Sequence, residues 1–116
     1  MSPRRSSAAR SSRLVGSAPL FAALGDQTRL RMVARLAEEG RLSTGRLTSG
    51  TKVTRQAVTK HLHVLAGAGL VRDSRQGRER LWELEPQQLE EARRWLEVIS
   101  RGWDDALARL KSSIER

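Results

Sequence analysis

The chain has 116 residues, of which 22 are basic and 13 acidic, and its formal net charge at neutral pH is +9. This length allows one domain, and a short monomer covers its apolar surface poorly, so we expect self-association. The sequence contains no cysteine, which excludes disulfides, thiolate metal ligands and cysteine nucleophiles. No apolar run reaches the length of about 18 residues that a membrane span requires.

The positive charge lies in the first two thirds of the chain. Residues 1–16 carry +4, 17–53 carry +3 and 54–80 carry +4, whereas 81–85 carry −2 and 86–116 are neutral. This asymmetry is typical of a polyanion-binding part followed by an interaction part. Charge alone leaves open the alternative of a basic surface that only keeps the protein soluble.

The chain begins with a stretch rich in Ser and Arg, residues 1–16, that has no acidic residue and no helical or strand periodicity. We predict a disordered basic arm there. The composition also resembles an organellar transit peptide, but the stretch is short and lacks a clear amphipathic helix. A short helix is then predicted over residues 19–24, ending at Gly25.

Capping residues and apolar spacing predict the next three helices. Asp26 caps a helix that ends at Gly40, Ser43 caps a short helix over 44–48, and Thr54 caps a fourth helix that ends near Gly67. Apolar residues recur at helical spacing in the first of these three: Leu30, Val33, Leu36 and Ala37.

A β-hairpin and a long helix complete the predicted order. The hairpin has strands over 70–74 and 80–84 and a turn at Gln76-Gly77. Pro86 suits the first turn of a final helix that extends to about Ile114, roughly 40 Å. The sequence therefore predicts a mainly α fold with one small β-hairpin.

The fourth predicted helix divides into an apolar face and a polar face. The apolar face contains Ala57, Val58, His61, Leu62 and Leu65, and the polar face contains Arg55, Gln56, Thr59, Lys60 and His63. No acidic residue occurs between Thr54 and Val71, although the solvated face of an ordinary helix more often carries acids. Cations, amides and hydroxyls are the groups that contact phosphates and base edges in the DNA major groove.

These features assign roles along the helix. Arg55, Gln56 and Thr59 lie in its N-terminal half and are expected to read bases, whereas Lys60 is expected to contact phosphate; Thr54, at the cap, belongs to the same DNA-binding surface. His61 is predicted to be a buried, hydrogen-bonded structural residue. For His63, on the polar face, the sequence leaves open whether the side chain contacts DNA or only faces solvent.

The hairpin is basic as well. Arg72, Arg75, Arg78 and Arg80 outnumber Asp73 and Glu79 in this segment. A basic hairpin after a recognition helix predicts a wing that lies along the DNA backbone or minor groove and adds affinity without sequence information. The alternative is an exposed hairpin with ordinary surface charges.

Three segments resemble, in the expected order, the ArsR-type regulators, a family of winged helix-turn-helix proteins related to the arsenic repressor. They are ALGDQTRLR at 23–31, TRQAVTKHLHVLAGAGLV at 54–71 and RQGRERLWEL at 75–84. The resemblance covers about residues 18–90. It implies a winged helix-turn-helix fold and a bacterial or archaeal homodimer, cytoplasmic and associated with the nucleoid. Such dimers bind inverted-repeat operators, usually as repressors that an effector releases.

Two departures separate the chain from metal-sensing members. Residues 43–47 read Ser-Thr-Gly-Arg-Leu where founding members have a Cys-containing metal motif, and no histidine follows His63 to build the zinc site found on the final helix of other relatives. The resemblance is therefore to metal-independent members, and we expect no metal and no cofactor. Regulation is left to a small-molecule effector between the first and last helices, a protein partner or protein abundance.

The final helix carries a heptad-like apolar seam. The seam consists of Leu89, Ala92, Leu96, Ile99, Trp103, Ala106 and Leu110. With the neutral charge of this segment, such spacing predicts helix–helix dimerisation. The alternative is packing of the seam on its own domain, and Trp95 and Val98 make the apolar stripe wider than one partner surface needs.

The predicted organisation is a disordered basic arm (1–16), a winged helix-turn-helix DNA-binding domain (17–85) and a C-terminal dimerisation helix (86–116). The predicted function is sequence-specific DNA binding by a homodimeric transcriptional repressor. No combination of nucleophile, base and metal ligands suggests an enzyme, so no catalytic residue is assigned. A sequence-blind architectural nucleic-acid-binding protein and a protein-interaction adaptor remain the alternatives.

Overall fold

A computed structural model describes the backbone of residues 3–115 and the side chains of residues 9–115; this part of the chain forms six helices and three strands. The helices are α1 (Pro3–Gly16), α2 (Ala18–Leu24), α3 (Gln27–Glu39), α4 (Thr44–Ser49), α5 (Arg55–Gly67) and α6 (Pro86–Ile114). The strands are β1 (Leu42–Ser43), β2 (Val71–Gln76) and β3 (Glu79–Leu84).

Capping side chains fix the starts of the three central helices. Side-chain oxygens of Asp26, Ser43 and Thr54 each accept a hydrogen bond from the backbone N–H three residues later, at 3.0, 3.0 and 3.2 Å. Gly40, with φ of +80°, ends α3 in a conformation that favours glycine. The predicted order and approximate bounds of the helices from α2 to α6 are confirmed.

The prediction of a disordered arm is wrong for residues 3–16, which form α1. Ala and Arg are good helix formers, and no proline or glycine interrupts the segment between Pro3 and Gly16. The missing apolar periodicity concealed this helix, because amphipathic spacing is the main helical signal in a sequence. Met1 and Ser2 of the predicted arm lie outside the described residues.

The sheet has three strands in the order β1-β3-β2, not the two of the predicted hairpin. β2 and β3 pair antiparallel around Gly77, whose φ is +64°. The short strand β1 pairs antiparallel with β3 and places Leu42 opposite Trp82. A strand of two residues is too short to show the alternation by which strands are recognised.

One apolar core joins α2 to the start of α6. Its largest fully buried side chains are Trp82, Met32, Leu47, Leu62, Leu65, Leu70 and Val58. Ala92 is buried in the same core and Leu89 packs against it from α6. Leu30 was expected on the inner face of α3, but its side chain is 52% exposed, and Met32 is buried there with Val33 and Leu36.

The second half of α6 extends beyond this core. Trp95 is still buried and Val98 is half-buried, whereas every residue from 99 to 115 is exposed. The projecting helix gives the molecule an elongated shape of 65 × 33 × 20 Å. No helix in the described part of the chain has the length and apolarity to cross a lipid bilayer.

Candidate nucleic-acid interface

The helix α5 is anchored in the core through its apolar face. Val58, Leu62 and Leu65 are buried, while Ala57 and His61 on the same face are half-buried. The preceding α4 packs on α5, and Val53, in the turn between the two helices, contacts the core. The arrangement is a helix, a turn and a second helix whose polar face points away from the core.

That polar face is open to solvent where the sequence predicted it. Arg55, Gln56, Lys60 and His63 are exposed. Thr59 is half-buried, and its hydroxyl donates a 2.9 Å hydrogen bond to the carbonyl of Arg55. Because the first N–H groups of a helix favour anions, the exposed basic first turn of α5 is electrostatically suited to a phosphate backbone.

His61 joins α5 to α3 rather than lying fully buried. Its Nδ1 lies 3.4 Å from Nη1 of Arg29 and 3.9 Å from Oδ2 of Asp26, and its side chain is 24% exposed. The backbone N–H of Arg29 and the nearby cations hold the pKa of Asp26 below its usual range. The polar cluster fixes the start of α3 against the inner side of α5.

Two of the four wing arginines, Arg72 and Arg80, form ion pairs with carboxylates. Arg72 pairs with Glu83 at 3.0 Å and with Glu85 at 3.3 Å, and its pKa is raised chiefly by the hydrogen bond to Glu83. Arg75 and Arg78 are exposed near the hairpin turn and form no ion pair with any other residue that the structure describes. Their charges are therefore not neutralised by a carboxylate within the described part of the chain.

Arg80 is the second wing arginine that forms an ion pair. Its Nε donates a 2.7 Å hydrogen bond to Oδ2 of Asp73, which holds the pKa of that carboxyl below its usual range. Its guanidinium carbon lies 4.7 Å from the ring centroid of Trp82, and its Nη1 lies 3.5 Å from Nε2 of His63. This contact brings the wing against the polar face of α5, an arrangement that the sequence reasoning missed because side-chain pairing leaves no periodic signal.

The predicted dimer seam divides at the edge of the core. Leu89 and Ala92 pack within their own chain, whereas Leu96, Ile99 and Trp103 are 56%, 49% and 65% exposed. Three further exposed apolar residues continue the row along the projecting part of α6: Leu107, Leu110 and Ile114. The seam had included Ala106 and missed Leu107 and Ile114, which lie at the helical spacing of four residues after Trp103 and Leu110 respectively.

A small cleft lies between α6 and α1, a helix that the effector prediction did not include, since the first predicted helix was α2. Its volume is about 230 Å³, and it is lined by Arg10, Arg13, Glu91, Arg94, Trp95 and Val98. Within residues 3–115, His, Asp and Glu side chains form no cluster of three that could hold a metal ion.

A helix-turn-helix with an adjoining antiparallel wing defines the chain as a winged helix-turn-helix protein. Residues 24–73 match a family described as "Helix-turn-helix domain". A solved structure, an ArsR-like transcriptional regulator from Rhodococcus sp. RHA1, superimposes with a TM-score of 0.71 at 35% identity and covers 87% of this chain and 94% of that one. The chain belongs to the ArsR family of transcriptional regulators.

Curated relatives carry similar names. The uncharacterized HTH-type transcriptional regulator YuzN of Bacillus subtilis is 41% identical over 68 residues, which are 53% of this chain and 74% of that protein. The arsenic resistance transcriptional regulator ArsR1 of Pseudomonas putida is 32% identical over 87 residues, or 75% of this chain. The match to ArsR1 spans 65% of that relative's length, just under two thirds.

Proposed function

We propose that this chain binds a specific duplex DNA sequence as a homodimer and represses transcription from an inverted-repeat operator. The observation that carries the proposal is the exposed, acid-free polar face of α5 beside a basic wing. Family membership supports transcriptional regulation, and the resemblance to the family implies the inverted-repeat operator and the repressor role. The dimer is inferred from the exposed apolar row of α6. A regulator of this kind acts where the chromosome lies, so we place it in the cytoplasm on the nucleoid.

In this proposal the contacts divide by position. Arg55, Gln56 and Thr59 read base edges in the major groove, and Lys60 contacts phosphate. At the wing, Arg75 and Arg78 contact the backbone and contribute affinity that does not depend on sequence.

The dimer is supported by the exposed apolar row of α6. An apolar stripe that no part of the described chain covers is typical of a protein interaction site. Its heptad-like spacing suits a second copy of the same helix, and a two-fold dimer would present two α5 helices to two half-sites. The interface begins at Leu96, because Leu89 and Ala92 are already used by the core.

Regulation by metal is not proposed. The relative from Pseudomonas putida is named for arsenic resistance, but this chain has no cysteine to supply the thiolates of a soft-metal site. A small organic effector or a protein partner is the regulator that this proposal leaves open.

The proposal is tested by measuring affinity for three nucleic acids at one salt concentration. They are a duplex selected by the protein from a random pool, a scrambled duplex of equal composition, and RNA of the selected sequence. We expect the selected duplex to bind about a thousandfold or more tighter than the scrambled one. Equal affinities for the two duplexes would indicate a sequence-blind architectural protein, and no binding to either would favour an interaction adaptor.

A further inference from the structure

Arg80 sits at the junction between the wing and the recognition helix. Three groups hold its guanidinium: the carboxylate of Asp73 on β2, the indole of Trp82 on β3 and the imidazole of His63 on α5. Trp82 is itself fixed, since its ring is 1% exposed and its Nε1–H donates a 2.9 Å hydrogen bond to Oγ1 of Thr44. The contact with His63 therefore links the β2–β3 hairpin to α5, a helix that is anchored in the core.

Each of the three contacts uses a different part of the guanidinium. Nε is directed to Asp73, the guanidinium carbon lies over the ring of Trp82, and Nη1 approaches Nε2 of His63, which accepts when its ring proton is on Nδ1. A lysine ammonium has the same charge but neither the fork nor the flat face. The carboxylate of Asp73 also neutralises the positive charge of Arg80, which a contact with phosphate would require.

We propose that Arg80 and Asp73 are positioning residues, which hold the wing at one angle to α5, and that they do not contact phosphate. The proposal rests on the proposed function and deepens it. In a specific complex, the residues of α5 must contact the bases while Arg75 and Arg78 contact phosphates. A wing that is already held in place in the free protein loses less conformational entropy when the specific complex forms. A non-specific complex, by contrast, can form with the wing in many positions.

Two conservative substitutions separate this role from a phosphate contact. Arg80→Lys keeps the charge, and a lysine can still contact phosphate, so a phosphate role predicts near-normal binding. Asp73→Asn removes a negative charge close to the DNA, so a phosphate role for Arg80 predicts tighter binding.

The positioning role predicts the opposite result for both variants. Operator affinity should fall by about threefold to tenfold, which is the strength of a surface ion pair combined with an exposed cation–π contact. In Arg80→Lys, which conserves the charge, affinity for scrambled duplex and the slope of log affinity against log salt should not change. The matched control is Arg75→Ala, which should make that slope shallower by about 0.9, because one phosphate contact is lost.

The wing of the free protein gives a readout that needs no DNA. The steady-state ¹⁵N heteronuclear NOE of the amides of residues 76–79 should drop in Arg80→Lys and Asp73→Asn and stay unchanged in Arg75→Ala. Unchanged values in the first two variants, or an operator affinity of Arg80→Lys equal to that of the natural protein, would overturn the positioning role. If the natural protein selects no DNA sequence, the proposed function fails, and the relaxation measurement still decides whether Arg80 holds the wing.

Discussion

Ile99→Glu should convert the dimer to a folded monomer. Ile99 is 49% exposed, and full burial of an isoleucine side chain is worth about 1.5–3 kcal/mol, so a partner helix that covers the exposed half contributes about 1 kcal/mol per protomer. Two-fold symmetry doubles this to about 2 kcal/mol per dimer. An unpaired carboxylate buried in the interface adds several kcal/mol of penalty, so the total loss is at least about 4 kcal/mol and raises the dimer dissociation constant at least roughly a thousandfold.

Sedimentation equilibrium over a range of protein concentrations measures that constant, and the amide spectrum shows that the monomer is folded. The matched control is Ala108→Glu, nine residues further along α6 and on the opposite side of the helix, where the residue is exposed. The control should stay dimeric. A folded Ile99→Glu protein that dimerises as tightly as the natural one would refute the assignment of this face and place the interface elsewhere.

The remaining predictions concern the DNA contacts, the core and metal. Arg55→Ala or Gln56→Ala should weaken operator binding by about 1–3 kcal/mol and binding to scrambled duplex by less; equal losses on both would argue against base reading. Replacing Arg75 and Arg78 together by alanine should weaken both duplexes alike and reduce the salt slope by nearly 2, and an unchanged slope would remove the wing from the interface. Thr44→Val should lower the free energy of unfolding by about 1–3 kcal/mol, because it leaves a buried indole N–H without an acceptor, whereas Thr44→Ser should be much milder in denaturant titrations. Micromolar zinc or nickel, or a chelator, should leave operator affinity unchanged at fixed ionic strength, and a reproducible tenfold effect would reopen metal sensing.

The helical part of the fold was predictable because its signals are local. Asp26, Ser43 and Thr54 precede their helices at the spacing of side-chain caps, and Gly40 follows the end of α3. The division of α5 into two faces was equally local, since a helical wheel needs only the sequence of one helix. These signals do not depend on what the helix packs against.

Features that depend on distant partners were not predictable. The helix α1 has good helix formers but no apolar stripe, and β1 becomes a strand only because β3 lies beside it. The heptad spacing of α6 reveals an apolar row but not its partner, and the structure assigns Leu89 and Ala92 to the core of the same chain. The contacts of Arg80 were not predictable because its three partners lie on separate elements, which only the folded chain brings together.

The most direct test of sequence-specific recognition is selection by the natural protein from a pool of random DNA duplexes at physiological salt, followed by sequencing of the bound fraction. We expect enrichment of an inverted repeat whose half-sites are about 10–10.5 base pairs apart, centre to centre, or a multiple of that distance. Recovery of unenriched sequences, with duplexes retained in proportion to their length alone, would contradict base reading by α5 and leave only charge-driven binding.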